Sequence, residues 1–326
     1  MPRVSVAMSV FNGEIFLAES IQSVLAQTMD DFEFIIIDDG STDRSAEIIK
    51  GFDDPRIRYV HQTNKGLATS LNKAISLSRS DLIARTDSDD LWVPEKLKCQ
   101  VEFMDKHPEV VLLGGEIQLI DMDGNYMYTV HKPHSDEENR RYLDIKNMWT
   151  HSAVIFRQES VEKVGGYITT KYTYFEDYVL WHQLAKLGKV AQLDKVVTKY
   201  RVHPYAVSSK TENPRFIEIM KATVKRGYAT DDEVSELKEI KMSEANDPKR
   251  KEALYHLFLG RSYMFHNYKR RKSIQHLKKS VGLSPNMRIA RIYLFMVIFL
   301  PKFILKGIYK WKGPMAGFIS VEENPA

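Results

Sequence analysis

At 326 residues and 37.8 kDa, the chain is long enough for one large α/β domain with an appendage, or for two modest domains. It is 43% hydrophobic and 28% charged, which excludes wholesale disorder, a collagen-like repeat and a multi-pass membrane protein. The net charge of +4 hides an asymmetry: from Lys241 onward there are 17 Lys/Arg against 5 Asp/Glu, a net of +12, while residues 1–240 carry −8. A basic C-terminal third calls for an anionic partner or for a solvated helical face. A single cysteine, Cys99, excludes an intrachain disulfide and points to the cytoplasm. The opening MPRVSVAMSVFNG has strand-like alternation and lacks the long apolar core of a signal peptide.

The first hundred residues alternate strands with helices. Val4–Val10 and 33–38 are apolar runs of strand length, rich in β-branched residues. Between them, 15–27 places Leu17, Ile21, Val24 and Leu25 at helical spacing. A second helix is expected over 42–52 with Ser41 as N-cap, then a strand at 56–61, a helix at 66–78 and a strand at 81–86. This succession predicts a mostly parallel sheet of Rossmann-like type with helices on both faces. Beyond it the reading is a helix at 94–106, a strand pair within 110–121 and a strand at Tyr126–Val130. A strand at 152–157, a helix at 176–187 and two short strands at 190–193 and 196–203 follow. From residue 213 onward only helices are expected: 216–225, Asp231–Glu244, 250–265, 269–281 and one long helix at 288–308. The expected division is therefore a catalytic α/β domain at 1–212 and a helical, basic region at 213–326.

Three acidic clusters fall at or beyond strand C-termini, where open α/β sheets bind ligands. Asp38-Asp39-Gly40-Ser41 either accepts hydrogen bonds from a base or ribose or caps the next helix. Asp87-Ser88-Asp89-Asp90 packs three carboxylates into four residues, a repulsion that a divalent cation with oxygen ligands relieves. Glu176-Asp177 opens a helix, where negative charge is favoured, and supplies a candidate general base. Trp181 and Tyr178 are expected in the core.

The segment VSVAMSVFNGEIFLAESIQSVLAQTMDDFEFIIIDDGSTDRS resembles the opening of the family 2 glycosyltransferases, inverting enzymes with the GT-A fold. Asn64-Lys65-Gly66, LIARTDSDDLW at 82–92, HSAVIFRQESVEKVGGY at 151–167, 175–177 and YRVHPYAVS at 200–208 follow in the order of that family. The resemblance covers residues 3–210. It implies a GT-A nucleotide-sugar-binding domain in which Phe11, Asn12 and Glu14 lie at the uracil and ribose of a UDP-sugar and Asp39 reads the base. Asp87 and Asp89 would hold ribose and a Mg²⁺ or Mn²⁺ on the diphosphate, and Asp177 would be the catalytic base. Lys65 is the expected cation near the phosphates, because Leu71 stands where family members often carry arginine. Trp149, His151 and Glu176 are the expected acceptor contacts. The acceptor implied is a glycan or lipid-linked saccharide of cell-surface polysaccharide synthesis.

Two other functions compete with that reading. A sugar-phosphate nucleotidyltransferase has a similar sheet but usually a basic, Gly-rich first loop, whereas Ser9-Val10-Phe11-Asn12-Gly13 has no Lys or Arg. An inactive scaffold homologue is at odds with intact Asp39, Asp87, Asp89 and Asp177. In the basic tail, IYLFMVIFL at 292–300 is flanked by cations and by Tyr309 and Trp311, with Lys310 and Lys312 beside them. It is shorter than the ~20 apolar residues that span a bilayer. The stretch 288–312 therefore reads as an interfacial helix on an anionic membrane surface, peripheral on the inner face of the plasma membrane. No nucleic-acid-binding motif is present.

Overall fold

The computed structural model describes residues 1–170, 173, 175–205, 213–244 and 248–312, with only the backbone path for 243–244 and 310–312. Residues 206–208, part of the family-like YRVHPYAVS segment, and the side chains of Lys310, Trp311 and Lys312 lie outside the described residues. The chain divides into two compact units. The first takes Met1–Ile117, Pro133–Tyr200 and Glu212–Lys238, and the second Gln118–Lys132, Arg201–Thr211 and Glu239–Ala326.

In chain order the elements begin β1 (Val4–Val10), α1 (Leu17–Leu25), β2 (Phe32–Asp38), α2 (Ser45–Lys50), β3 (Ile57–His61), α3 (Leu67–Ser76) and β4 (Leu82–Thr86). Next come β5 (Leu91–Trp92), α4 (Lys96–Lys106), β6 (Val110–Ile120), β7 (Tyr126–Val130) and α5 (Asp136–Leu143). A 3₁₀ turn at His151–Ala153 leads to β8 (Ile155–Arg157), α6 (Gln158–Val164), α7 (Glu176–Leu184) and β9 (Lys189–Arg201). The rest is helical: α8 (Pro214–Arg226), α9 (Asp231–Glu244), α10 (Pro248–Phe265), α11 (Arg270–Leu283), α12 (Arg288–Phe299) and α13 (Lys302–Lys312).

The first unit is built on a sheet of order β3-β2-β1-β4-β8-β6-β9-β5. β1 pairs in parallel with β2 and β4, and β2 with β3. Beyond β4 the sheet is mixed, because β8 runs antiparallel to both β4 and β6, and β5 to β9. The apolar runs of β1 and β2 are continuous because helices cover both their faces. Val6, Met8, Phe34 and Ile36 pack with Ile21 and Val24 of α1 and with Trp92 and Leu97. Each such side chain contributes about 1.5–3 kcal/mol on burial. The chain leaves β1 toward β2 on one side and returns to β4 on the other, so the β1/β4 boundary is a topological switch point. Trp181 and Tyr178 are buried, as expected.

Several elements differ from the sequence reading. α2 starts at Ser45, after Arg44, and not at 42 with a Ser41 cap. Ser41 is engaged elsewhere: its hydroxyl accepts the Asn12 N–H at 3.1 Å and its own N–H donates to Asp38 at 2.9 Å. Residues 110–120 form one strand, not a pair, because Gly114-Gly115 serves close packing. A Cβ on Gly114 would lie 2.7 Å from Trp149 Cδ1, and one on Gly115 2.8 Å from the Val197 methyls. β9 is likewise one strand of 13 residues, carried through the exposed Asp194 and Lys195. α7 stops at Leu184, and the strand expected from 152 begins at Ile155. α5 and α6 were not anticipated, although α5 carries a Ser135/Glu138 capping box. α8 belongs to the first unit, where Phe216 meets Phe175 edge-on at 5.7 Å and Gln183 donates to Val224 O.

The second unit begins at Gln118 near the end of β6, turns at Asp121–Asn125 and returns as β7, which pairs with β6. Asp121 accepts the Asn125 N–H at 2.8 Å and the Tyr263 hydroxyl at 2.6 Å, fixing the turn to α10. Met264, Phe265, Leu277, Tyr293, Val297 and Leu305 form its core. The stretch 288–308, expected as one helix, is two. Pro301 has no N–H to continue the ladder, and Leu300 before it is extended (φ −90°, ψ 135°).

Candidate active site

The site is assembled from the loops beyond β1, β2 and β4 and from the N-terminus of α7. The loops after β1 and β2 are laced together. Thr42 N–H donates to Asn12 Oδ1 at 2.8 Å, Gly13 N–H to Ser45 Oγ at 2.9 Å and Arg44 N–H to Glu14 Oε2 at 3.0 Å. Asn12 and Glu14, expected at the nucleotide, therefore have acceptor oxygens spent on the neighbouring loop. Phe11, also expected there, is 53% exposed. The lacing lets the chain turn at Gly40, whose φ of +80° and near approach to Asn64 N (2.8 Å from a Cβ) exclude a side chain.

Asp38 and Asp39 point in different chemical directions. Asp38 accepts from Ser41 N–H, Tyr59 Oη at 3.0 Å and His61 Nδ1 at 2.9 Å. Burial works to raise its carboxyl, but these donors together hold it below its ordinary value. Asp39, 2% exposed, accepts Gln62 Nε2 at 2.7 Å and Lys65 N–H at 2.9 Å on Oδ1, and Gly66 N–H at 2.8 Å on Oδ2. Those amides precede α3, so Asp39 holds the N-terminus of α3 and not that of α2. Lys65 reaches Asp39 through its backbone, and its side chain is exposed.

Beyond β4, one oxygen from each of Asp87, Asp89 and Asp90 lies within 4.8 Å of the others. Asp90 is buried and accepts the Ser152 hydroxyl, while Asp87 pairs with Arg85. Arg85 is fully buried at the end of β4. Burial disfavours its charge, yet Asp87 prevails and its pKa is raised. Arg85 in turn reinforces what burial does to His151, whose pKa is well below the ordinary value, leaving a neutral ring that shares a 2.8 Å hydrogen bond with the Tyr167 hydroxyl. Asn72 clamps the Tyr167 backbone with two 2.8 Å hydrogen bonds, one to its carbonyl and one from its N–H.

The third cluster faces the same charges. Asp177 accepts Tyr178 N–H at 2.6 Å and Asn147 Nδ2 at 2.8 Å. Burial pushes its carboxyl above the usual range, against the pull of those donors and of Arg85, and Asp87 adds to the rise. Glu176 is raised by burial and by Asp177. Arg85 and Asp87 thus act electrostatically on both Glu176 and Asp177, Arg85 lowering and Asp87 raising each carboxyl. Trp149, expected at the acceptor, is 3% exposed with its indole N–H on Ala191 O, so its ring lies in the core and not toward solvent.

Arg85, Asn147 and Tyr167 were not identified from the sequence. Arg85 had a signal, a cation inside the apolar strand LIART just before the acidic run. Tyr167 closes the family-like segment 151–167 that His151 opens, and Asn147 had no signal, because its partner lies 30 residues away.

The fold is that of a GT-A glycosyltransferase. A sequence model described as "Glycosyl transferase family 2" matches residues 5–165. The amylovoran biosynthesis glycosyltransferase AmsE of Erwinia amylovora is 30% identical over 203 residues, 60% of this chain and 75% of AmsE. The chain belongs to glycosyltransferase family 2. Its fold is shared by S. aureus TarS residues 1–349, solved in complex with UDP-GlcNAc, at a TM-score of 0.53 and 17% identity over 95% of this chain and 92% of that one. It is shared also by the mannosyltransferase PcManGT of Pyrobaculum calidifontis, solved with GDP-Man and Mn2+, at a TM-score of 0.51 and 16% identity over 94% of this chain and 84% of that one.

Proposed function

We propose that this glycosyltransferase moves a hexosyl group from a UDP-sugar to a hydroxyl of a glycan or lipid-linked saccharide, with inversion, in cell-surface polysaccharide synthesis. The observation that carries it is the Asp177 carboxyl, held by Asn147 and raised by burial and by the charge of Asp87, which itself belongs to the Asp87–Asp89–Asp90 group. A base whose pKa approaches the working pH is suited to take a proton from an attacking hydroxyl. The acceptor oxygen forms its bond to the anomeric carbon on the face opposite the diphosphate. The bond from that carbon to the diphosphate breaks, and the hydroxyl proton passes to Asp177. Direct displacement inverts the centre and uses no protein nucleophile.

On the donor side, a carboxylate has about four acceptor positions. Asp39 uses three, leaving Oδ2 one for an N–H of the base. Phe11 offers an open ring face to the same base. Three carboxylate oxygens within 4.8 Å are a donor set for a hard divalent ion such as Mg²⁺ or Mn²⁺. Asp89, with Asp87, would hold it, and when bound it supplies charge neutralisation to the leaving diphosphate. His151 and Glu176 are left as acceptor contacts. We place the enzyme on the cytoplasmic side at an anionic membrane surface, where a lipid-linked acceptor is presented.

The names of AmsE and of the TarS–UDP-GlcNAc complex support the polysaccharide and UDP readings, and that of PcManGT the cation. The test is a screen of nucleotide sugars by released nucleoside diphosphate, with and without Mn²⁺. Release from UDP-sugars that depends on the cation is expected, and release of pyrophosphate from a sugar phosphate plus nucleoside triphosphate, with a nucleotide sugar as the other product, would instead make the protein a nucleotidyltransferase.

A further inference from the structure

α12 has two apolar faces with different fates. Ala290, Tyr293 and Val297 are buried in the second unit. Ile289, Ile292, Phe295 and Phe299 face water at 43, 52, 59 and 65% exposure, followed by Phe303 of α13 at 72%. Spacings of three, three and four residues put the first four on one stripe of the helix. The rings of Phe295 and Phe299 lie 4.7 Å apart, an aromatic pair presented to solvent. A contiguous apolar stripe of this kind marks an interaction surface.

Charge selects the occupant. Residues 253–321 contain 13 Lys/Arg and no Asp or Glu. Arg288 and Arg291 are exposed on α12, and Lys302 is exposed at the start of α13. A second copy of this face would set cations against cations, and a nucleic acid would leave the phenyl rings in water. Cations bordering exposed aliphatic and aromatic side chains match an anionic headgroup layer over acyl chains. Among the described residues no helix is long and apolar enough to cross a membrane, so the contact lies in the interface.

We infer that the outer face of α12 and the start of α13 dock on an anionic lipid surface, with Ile292, Phe295, Phe299 and Phe303 entering the headgroup–acyl boundary. Arg288, Arg291 and Lys302 then meet lipid phosphates. This rests on the membrane location proposed above and names the surface responsible. The Pro301 break turns the chain between the two helices, giving a bent apolar edge instead of a rod.

The experiment is flotation of the full chain with phosphatidylcholine vesicles, with and without phosphatidylglycerol, alongside UDP binding by calorimetry. Wild type should float with the anionic vesicles and much less with neutral ones. Phe295→Ser with Phe299→Ser alters only exposed side chains and should cut partitioning at least about tenfold. Arg288→Gln or Arg291→Gln should each cut it about fivefold. UDP binding should be unchanged in all three. If wild type floats and the double phenylalanine variant floats equally well, the surface assignment falls and the membrane location stands. If wild type fails to float, both fall, whatever UDP binding shows. A wild-type dimer that the phenylalanine variant dissociates, without vesicle binding, would make a second copy the occupant.

Discussion

Two acidic pairs in the first unit, Asp38-Asp39 and Glu176-Asp177, have similar chemistry and opposite settings. Burial raises the carboxyl in Asp38, Glu176 and Asp177 alike. Asp38 nevertheless ends below its ordinary value, because Ser41, Tyr59 and His61 all donate to it. Asp177 has Tyr178 N–H and Asn147, faces the charge of Asp87, and ends above. The difference is one of balance: around Asp38 several donors together outweigh burial, whereas at Asp177 burial, the largest influence there, outweighs two donors and Arg85. One pair holds loops together, and the other contains the carboxyl proposed above as the base.

The sharpest break of this comparison is Asp177→Asn. It should lower transfer by about 10²–10⁴-fold while leaving UDP binding and the melting temperature near wild type. Single-turnover product formation reads the first, calorimetry and thermal unfolding the others, and near wild-type transfer would move the base to Glu176 or elsewhere. Asp89→Ala, or EDTA added to wild type, should weaken UDP binding by more than about tenfold, since a bound cation contributes several kcal/mol to a charged phosphate site. Equal affinity in the two titrations would remove the cation from the donor site.

Asp38→Asn tests the other pair. It keeps the shape and removes a charge that three donors meet, so urea unfolding should show a loss of about 1–3 kcal/mol at neutral pH. The sign of its pH dependence follows from the lowered carboxyl. Asp38's contribution is present above the unfolded-state carboxylate pKa and is lost as pH falls through the folded-state value. The gap between wild type and variant should therefore close in acid, and a gap that widens would contradict the fixed-anion role.

The smallest effect concerns the positioning of the base. Asn147→Ala removes a donor that pulls Asp177 down, leaving Tyr178 N–H and Arg85 against burial and the charge of Asp87. Because Asp177 must be ionised to act, kcat/KM should fall on the acid side, at a pH above the usual carboxylate range. In the variant that limb should move higher still, with a loss of a few-fold at neutral pH. A pH–rate profile that keeps its acid limb in Asn147→Ala would show that the amide does not tune the base.

Much of the first unit was legible in the residues. The apolar runs of β1, β2 and β4, separated by helical spacings, state a parallel α/β sheet, because strands buried on both faces need no alternation. The acids that follow those strands mark the ligand side, since that is where open sheets leave a crevice. Local pattern failed wherever a long-range partner decides. The strand pair expected within 110–121 is one strand whose Gly114-Gly115 makes room for Trp149 and Val197, and Trp149, expected as an acceptor contact, is core.

The sequence alone determined the family, the succession of β1 to β4 with their helices and the identity of the acids, because those depend on residue type and short spacing. Tertiary structure decided which acid is held down and which is pushed up, because that depends on donors brought to Asp38 from Tyr59 and His61 and on the burial of Asp177 against Asn147 and the charge of Arg85. It decided equally that α12 presents one apolar face to its own core and another to solvent, since a run of nine apolar residues does not say which side is covered.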